Sequence, residues 1–191
     1  MKNIGVLALQ GAISEHVEMI RKTGNSPVTV KKPEQLNELA GLIIPGGEST
    51  AIRKLILRYG FMEPLKAFHK AGKGIFGTCA GMVLSATAIE GGEESLGFSH
   101  YTAMRNGFGR QKDSFEADLA IDALGKAPFR AVFIRAPYLL EPGKEVEVLA
   151  YVDDKIVAAR EGNVLVTAFH PELTEDERLM QYFVDVCCEG I

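Results

Sequence analysis

The chain has 191 residues, 47% hydrophobic and 24% charged, with a formal net charge of −4. That suits one globular domain over residues 1–191 with a sizeable core. The mild acidity and the lack of a basic stripe interleaved with aromatics argue against nucleic-acid binding, and no apolar run is long enough to span a membrane.

In chain order, residues 4–9 predict a buried first strand, broken at Gly11. Ile13, Val17 and Ile20 then fall at helical spacing, with Gly24 placed to end the helix. Residues 28–30 read as a short strand and 33–39 as a turn or short helix. Residues 41–44 are a second apolar strand, stopped by Pro45-Gly46-Gly47. Helices are expected over 51–57 and 62–71, and a strand over 73–76. A helical run over 80–88 follows. Strands alternating with helices are the signature of a parallel α/β sheet.

Beyond Glu90 the pattern becomes strand-rich and partly antiparallel. Alternation starts at Phe115, and further strands are expected over 131–134, 146–151, 155–159 and 164–169. Asp153-Asp154 reads as a hairpin turn. A helix over 175–188, N-capped by Thr174, closes the chain. No linker or repeat divides it.

The run Phe76-Gly77-Thr78-Cys79-Ala80-Gly81-Met82 sits where a strand gives way to a helix. Gly-x-Cys-x-Gly there is the arrangement of a nucleophile elbow, whose sharp turn holds a reactive side chain clear of the sheet. The positive end of the helix dipole favours a thiolate. The strand over 164–169 delivers His170-Pro171-Glu172 at its end. On extended backbone, residues two apart point the same way. His170 is thus the candidate base for Cys79, and Glu172 its orienting carboxylate. The order Cys, His, Glu does not match the α/β-hydrolases.

Each feature also has a structural reading. Cys79 alone would pass for a buried small hydrophobe; its glycines and the His-x-Glu pair favour the nucleophile. Cys187 and Cys188 lie in a helix without such a setting and read as packing residues. An odd number of free thiols suits a reducing, cytoplasmic compartment, and the first apolar run is too short for a signal peptide. Pro45-Gly46-Gly47-Glu48-Ser49-Thr50 is either a plain loop whose Ser49 or Thr50 caps the next helix, or an oxyanion hole. In the second reading Gly47 and Ala80 supply N–H groups. A Walker-type phosphate loop is disfavoured by the missing Gly-Lys-Ser/Thr ending. Gln10-Gly11 and Arg135 fall at strand ends, where α/β sheets bind ligands, and an arginine there suits a carboxylate. His16, in an amphipathic helix, reads as surface or interface. His69 and His100 have no partner motif, and no residue cluster has usable metal-ligand spacing.

Gly77-Thr78-Cys79-Ala80-Gly81 with His170-Pro171-Glu172 resembles the triad of the class I glutamine amidotransferases. Leu9-Gln10-Gly11, Pro45-Gly46-Gly47-Glu48-Ser49-Thr50, Arg110-Gln111, Asp113-Ser114-Phe115-Glu116, Phe133-Ile134-Arg135-Ala136-Pro137 and Phe169-His170-Pro171-Glu172-Leu173-Thr174 narrow it. As an ordered set they resemble the glutaminase subunits of pyridoxal 5′-phosphate synthases over essentially the whole chain. The resemblance implies a flavodoxin-like three-layer α/β sandwich, its mostly parallel sheet extended by antiparallel strands. It implies hydrolysis of L-glutamine to L-glutamate and ammonia through a Cys79 thioester, with oxyanion donors at Gly47 and Ala80. Substrate would be held by Gly46, Gly47, Glu48, Ser49, Arg105, Ile134 and Arg135. The ammonia would pass to a (βα)8-barrel synthase subunit, in a complex with twelve copies of each chain. That subunit makes pyridoxal 5′-phosphate from ribose 5-phosphate and glyceraldehyde 3-phosphate. Pyridoxal 5′-phosphate would be a product, and no cofactor or metal is expected. The region of Gln10, Gly11 and His16 is assigned to the partner interface.

Two stretches depart from the family pattern. A more aliphatic strand is expected where Gly97-Phe98-Ser99-His100-Tyr101-Thr102-Ala103-Met104 stands, and a histidine is commoner at Tyr138. Three alternatives stay open at this point: another enzyme with the same triad (a γ-glutamyl hydrolase or cysteine peptidase), an amidotransferase of another pathway, and a non-enzymatic regulatory subunit.

Overall fold

The computed structural model describes residues 1–109 and 113–189. The motif residues Arg110 and Gln111 lie outside them. Four short, mostly apolar segments make the heart of the sheet: β1 (Asn3–Leu7), β3 (Gly41–Ile44), β4 (Gly74–Thr78) and β12 (Val164–Thr167). Strands buried on both faces carry no polar alternation, and these carry none. With β2 (Ser26–Val30) they pair in parallel in the order β2-β1-β3-β4-β12.

Helices cover this parallel part. They are α1 (Ile13–Lys22), α2 (Ser49–Arg58), α3 (Met62–Lys70) and α4 (Ala80–Ser85), with a 3₁₀ turn over Pro33–Glu38. The sheet then continues antiparallel. β11 (Lys155–Glu161) pairs β12, β9 (Tyr138–Leu140) pairs β11, and β6 (Ser99–Met104) pairs β9. β5 (Ala86–Ile89) closes this edge parallel to β6, while β10 (Glu147–Val152) folds back on β11 through Asp153-Asp154 as expected. β7 (Ser114–Leu119) and β8 (Phe129–Ile134) form a separate two-stranded ribbon. The mostly parallel sheet with added antiparallel strands is the flavodoxin-like architecture the sequence implied.

Three expectations are corrected. The helix after the elbow ends at Ser85, and residues 86–89 are a strand. The carbonyls of Leu84, Ser85 and Ala86 accept from the N–H groups of Leu96, Phe98 and Gly97, so the returning chain takes the bonds a longer helix would have used. The closing helix α5 (Arg178–Tyr182) begins three residues later than predicted and widens into a π-helix over Phe183–Cys187. Thr174 does not cap it. Its hydroxyl accepts from Asp176 N–H, and the Asp176 carboxylate accepts from Arg178 N–H at 3.1 Å. Third, His170-Pro171-Glu172 is not extended; Pro171–Leu173 is a 3₁₀ turn that begins right after His170.

The unusual residues of β6 are accommodated locally. Ser99, Tyr101 and Ala103 point inward, Tyr101 donates to the Met82 carbonyl, and Glu161 takes Ser99 and His100. At the other end of the core, Cys188 Sγ occupies the space a side chain at Gly41 or Gly74 would need. Burial pushes the Cys187 and Cys188 thiols up to about 12.

The elbow is set by close approach. A Cβ on Gly81 would lie 2.0 Å from the Ile44 carbonyl oxygen, so α4 sits directly on β3. Gly77 faces Gly81 in the same way, at 2.5 Å. The left-handed backbone falls on Cys79 itself, at φ 51. Gly81→Ala is therefore expected to destabilise the protein by about 2–3 kcal/mol through overpacking against immobile backbone, read as a lower urea midpoint with unchanged slope.

Candidate active site

Parallel register aligns Ile44 and Val166 with Gly77, and Thr167 with Thr78. The chain therefore leaves β3, β4 and β12 at one edge, and the segments at 45–48, 79 and 168–172 meet there. They border a cleft of about 410 Å³, lined by Gln10, Gly47, Glu48, Ser49, Cys79, Ala80, Val83, Arg105, Asn106, Ile134, Arg135, Pro137 and His170. That is at the small end of the range for small-molecule sites.

Cys79 and His170 reach the cleft and are each only 8% exposed. Glu172 lies behind them, its side chain wholly buried, and accepts from His170 Nδ1 at 2.7 Å. That bond leaves His170 Nε2 for the nucleophile's side. Burial opposes the imidazolium, but its contacts with Cys79 and Glu172 outweigh burial and push His170 up to about 10. Burial likewise opposes charge on Glu172. The facing imidazoles of His16 and His170 nevertheless hold its carboxyl below the usual range. The predicted triad is assembled, by a 3₁₀ turn rather than by strand alternation.

Ala80 opens α4, so its N–H has no helical partner. Gly47 has φ 153, and a Cβ on it would strike Gln10 Oε1 at 2.3 Å. Gly46 does not line the cleft; it packs under His170, whose Cε1 would be 2.6 Å from a Cβ there. Glu48, not Ser49 or Thr50, is the N-cap of α2: its carboxylate accepts from Thr50 and Ala51 N–H at 3.0 and 2.8 Å. Desolvation raises its pKa, but those bonds and the nearby Arg105 together outweigh it and lower the pKa. Arg105 borders the cleft and is held by Glu93 at 2.8 Å and Thr50 Oγ1 at 3.3 Å. Ile134 and Arg135 close the rim, Arg135 with φ 42.

Of the residues assigned to the partner interface, His16 changes. Gln10 lines the cleft, and its Oε1 accepts from Glu48 N–H at 3.0 Å. Gly11 is exposed. His16 is fully buried against Glu172 and is no surface residue, because α1 turns that face onto the sheet. Sequence reasoning missed Val83, Asn106 and Pro137, each of which neighbours a motif residue in space or in sequence. Among the described residues, no three His, Cys, Asp or Glu side chains form a metal-holding group, and no helix is long and apolar enough to cross a membrane.

Residues 6–189 match the SNO glutamine amidotransferase family. The chain belongs to that family. A Listeria welshimeri protein named pyridoxal 5′-phosphate synthase subunit PdxT is 63% identical over 185 residues, covering 97% of this chain and 98% of the relative. The Geobacillus kaustophilus protein of the same name is 57% identical over 188 residues, covering 98% and 95%. A crystal structure titled glutamine amidotransferase superposes with a TM-score of 0.91 at 45% identity, covering 96% of this chain and 98% of that one. The Thermotoga maritima PurLQS structure, at 18% identity and a TM-score of 0.74, shares the fold.

In this family member Cys79 and then Glu172 raise the His170 pKa against burial. Glu172→Gln should lower the His170 titration, followed by imidazole NMR, from about 10, while the Cys79 contribution remains. Because the folded value exceeds the ordinary one, the His170 contribution to stability is complete below pH 6.5 and fades as pH rises toward 10. The stability gap between wild type and Glu172→Gln should narrow across that window.

Proposed function

We propose that this chain is the glutaminase subunit of a pyridoxal 5′-phosphate synthase: it hydrolyses L-glutamine to L-glutamate and ammonia for vitamin B6 synthesis. The observation that carries this is the Cys79 elbow sharing a cleft with His170, whose Nδ1 is held by Glu172 at 2.7 Å, in a chain of the glutamine amidotransferase family.

Cys79 Sγ attacks the side-chain amide carbon. The oxygen that becomes negative is met by the N–H groups of Ala80 and Gly47. The His170 imidazolium gives its proton to the leaving nitrogen, ammonia departs, and a glutamyl thioester remains on Cys79. Water then attacks that carbon while His170 accepts its proton; the C–S bond breaks and glutamate leaves. Glu172 keeps the Nδ1 proton in place throughout.

The amino-acid end of the substrate is a zwitterion. Arg105 and Arg135 suit its carboxylate, with Arg105 exchanging Glu93 for the substrate, and Glu48 suits its ammonium. Gly47, Ser49 and the Ile134 backbone complete the contact surface, with Gly46 supporting the loop from behind. The partner is a (βα)8-barrel synthase subunit, in an assembly of twelve and twelve, that combines the ammonia with ribose 5-phosphate and glyceraldehyde 3-phosphate. Residues 1–191 act as one domain in the cytoplasm, without metal or cofactor; pyridoxal 5′-phosphate is the product of the complex.

The test is glutamate release from L-glutamine by the purified chain, alone and with a barrel synthase subunit. Activity should rise on addition and fall at least about a thousandfold in Cys79→Ala. That variant's complex should still make pyridoxal 5′-phosphate from ammonium salts. A folded, reduced protein that releases no glutamate in either condition overturns the reading.

A further inference from the structure

The middle of α1 buries an ionisable group that the reaction as written does not use. His16 has no exposed surface, and it shares an inward stripe with Ile13, Val17 and Ile20. An imidazole in such a stripe is costly unless its polar atoms are engaged.

Its surroundings are specific. His16 Nε2 lies 3.2 Å from Thr78 Oγ1 and 3.6 Å from Glu172 Oε2. Thr78 immediately precedes the nucleophile, and Glu172 is the carboxylate of the triad. Glu172 uses Oε1 for His170, whereas Oε2 is buried and has no hydrogen-bond partner. His16 Nδ1 is also buried and unpartnered. An unpaired buried carboxylate oxygen is expensive, and here an imidazole nitrogen faces it.

We propose that His16 is a positioning residue of the triad: from behind Glu172 its Nε2–H keeps the carboxylate ionised and turned so that Oε1 holds His170. This rests on the glutaminase reading and adds a fourth member to its machinery, one that touches neither substrate nor the reacting atoms. Burial lowers the His16 pKa, and the facing Glu172 carboxylate opposes that shift. The titratable groups that face it are Glu172 and His170 from the segment after β12 and Glu15 on its own helix; Thr78, from β4, is neutral.

Two substitutions separate positioning from packing. His16→Leu fills the space without a donor, and His16→Gln keeps one. In the isolated chain, imidazole NMR should show the His170 midpoint falling by about one pH unit or more in the Leu variant and recovering in the Gln variant. In the complex, kcat for glutamine should fall roughly ten- to a hundredfold in the Leu variant with KM within about twofold, and recover substantially with Gln. A folded His16→Leu protein with wild-type midpoint and kcat overturns the proposal, as do equal losses in both variants. Should Leu prevent folding, the wild-type spectrum still decides. A ring that carries a proton on Nε2 at pH 7 supports the proposal, and an Nδ1–H tautomer with a bare Nε2 overturns it. If the His170 shifts appear while wild type releases no glutamate, the glutaminase reading fails and the positioning role stands.

Discussion

The contact between the Ile44 carbonyl and Gly81 is the constraint on which the site depends. It brings α4 down onto β3, and the only way for the chain to leave β4 and enter a helix so close to the sheet is a reversal at one residue. That residue is Cys79, carrying a left-handed backbone that costs on the order of 1–3 kcal/mol. The strain is sustained by a sheet whose neighbouring strands are buried on both faces and in parallel register with β4. The nucleophile's direction is thus a property of the core rather than of a loop.

A second dependence is electrostatic and runs inward from the cleft. Cys79, His170, Glu172 and His16 form a line from partly open to fully enclosed. A carboxylate so deep is tolerable only because imidazoles face it from two sides. Contacts with Cys79 and Glu172 raise the pKa of the outer one, and burial lowers that of the inner one. The low dielectric that makes the carboxylate costly also makes its hold on His170 strong.

Much of this was legible in the sequence, for identifiable reasons. Apolar runs of four to six residues mark the central parallel strands β1, β3, β4 and β12, and the Gly-x-Cys-x-Gly and His-x-Glu spacings point to the triad. The errors cluster where tertiary bonds override local pattern. Residues 86–89 look helical until the strand at 99–104 and the carbonyl acceptors of residues 84–86 are known. Thr174 looks like a cap until the helix start at Arg178, with its N–H on the Asp176 carboxylate, is known. His16 is the instructive case. It falls at the i+3 position from Ile13 and the i−4 position from Ile20, squarely on the inner stripe. The periodicity contained its burial, and only its polarity suggested the surface. What no periodicity supplies is that Glu172 lies across from it, more than 150 residues away in sequence.

The sulfurs under Gly41 and Gly74 have a practical bearing. Cys187 and Cys188 are sealed by packing and resist ionisation, whereas the remaining thiol opens onto the cleft. Chemically, a chain with three cysteines behaves as if it had one. An alkylating reagent added below one equivalent becomes a titrant of competent subunits, and the fraction of a preparation that can react is countable before its rate is ever measured.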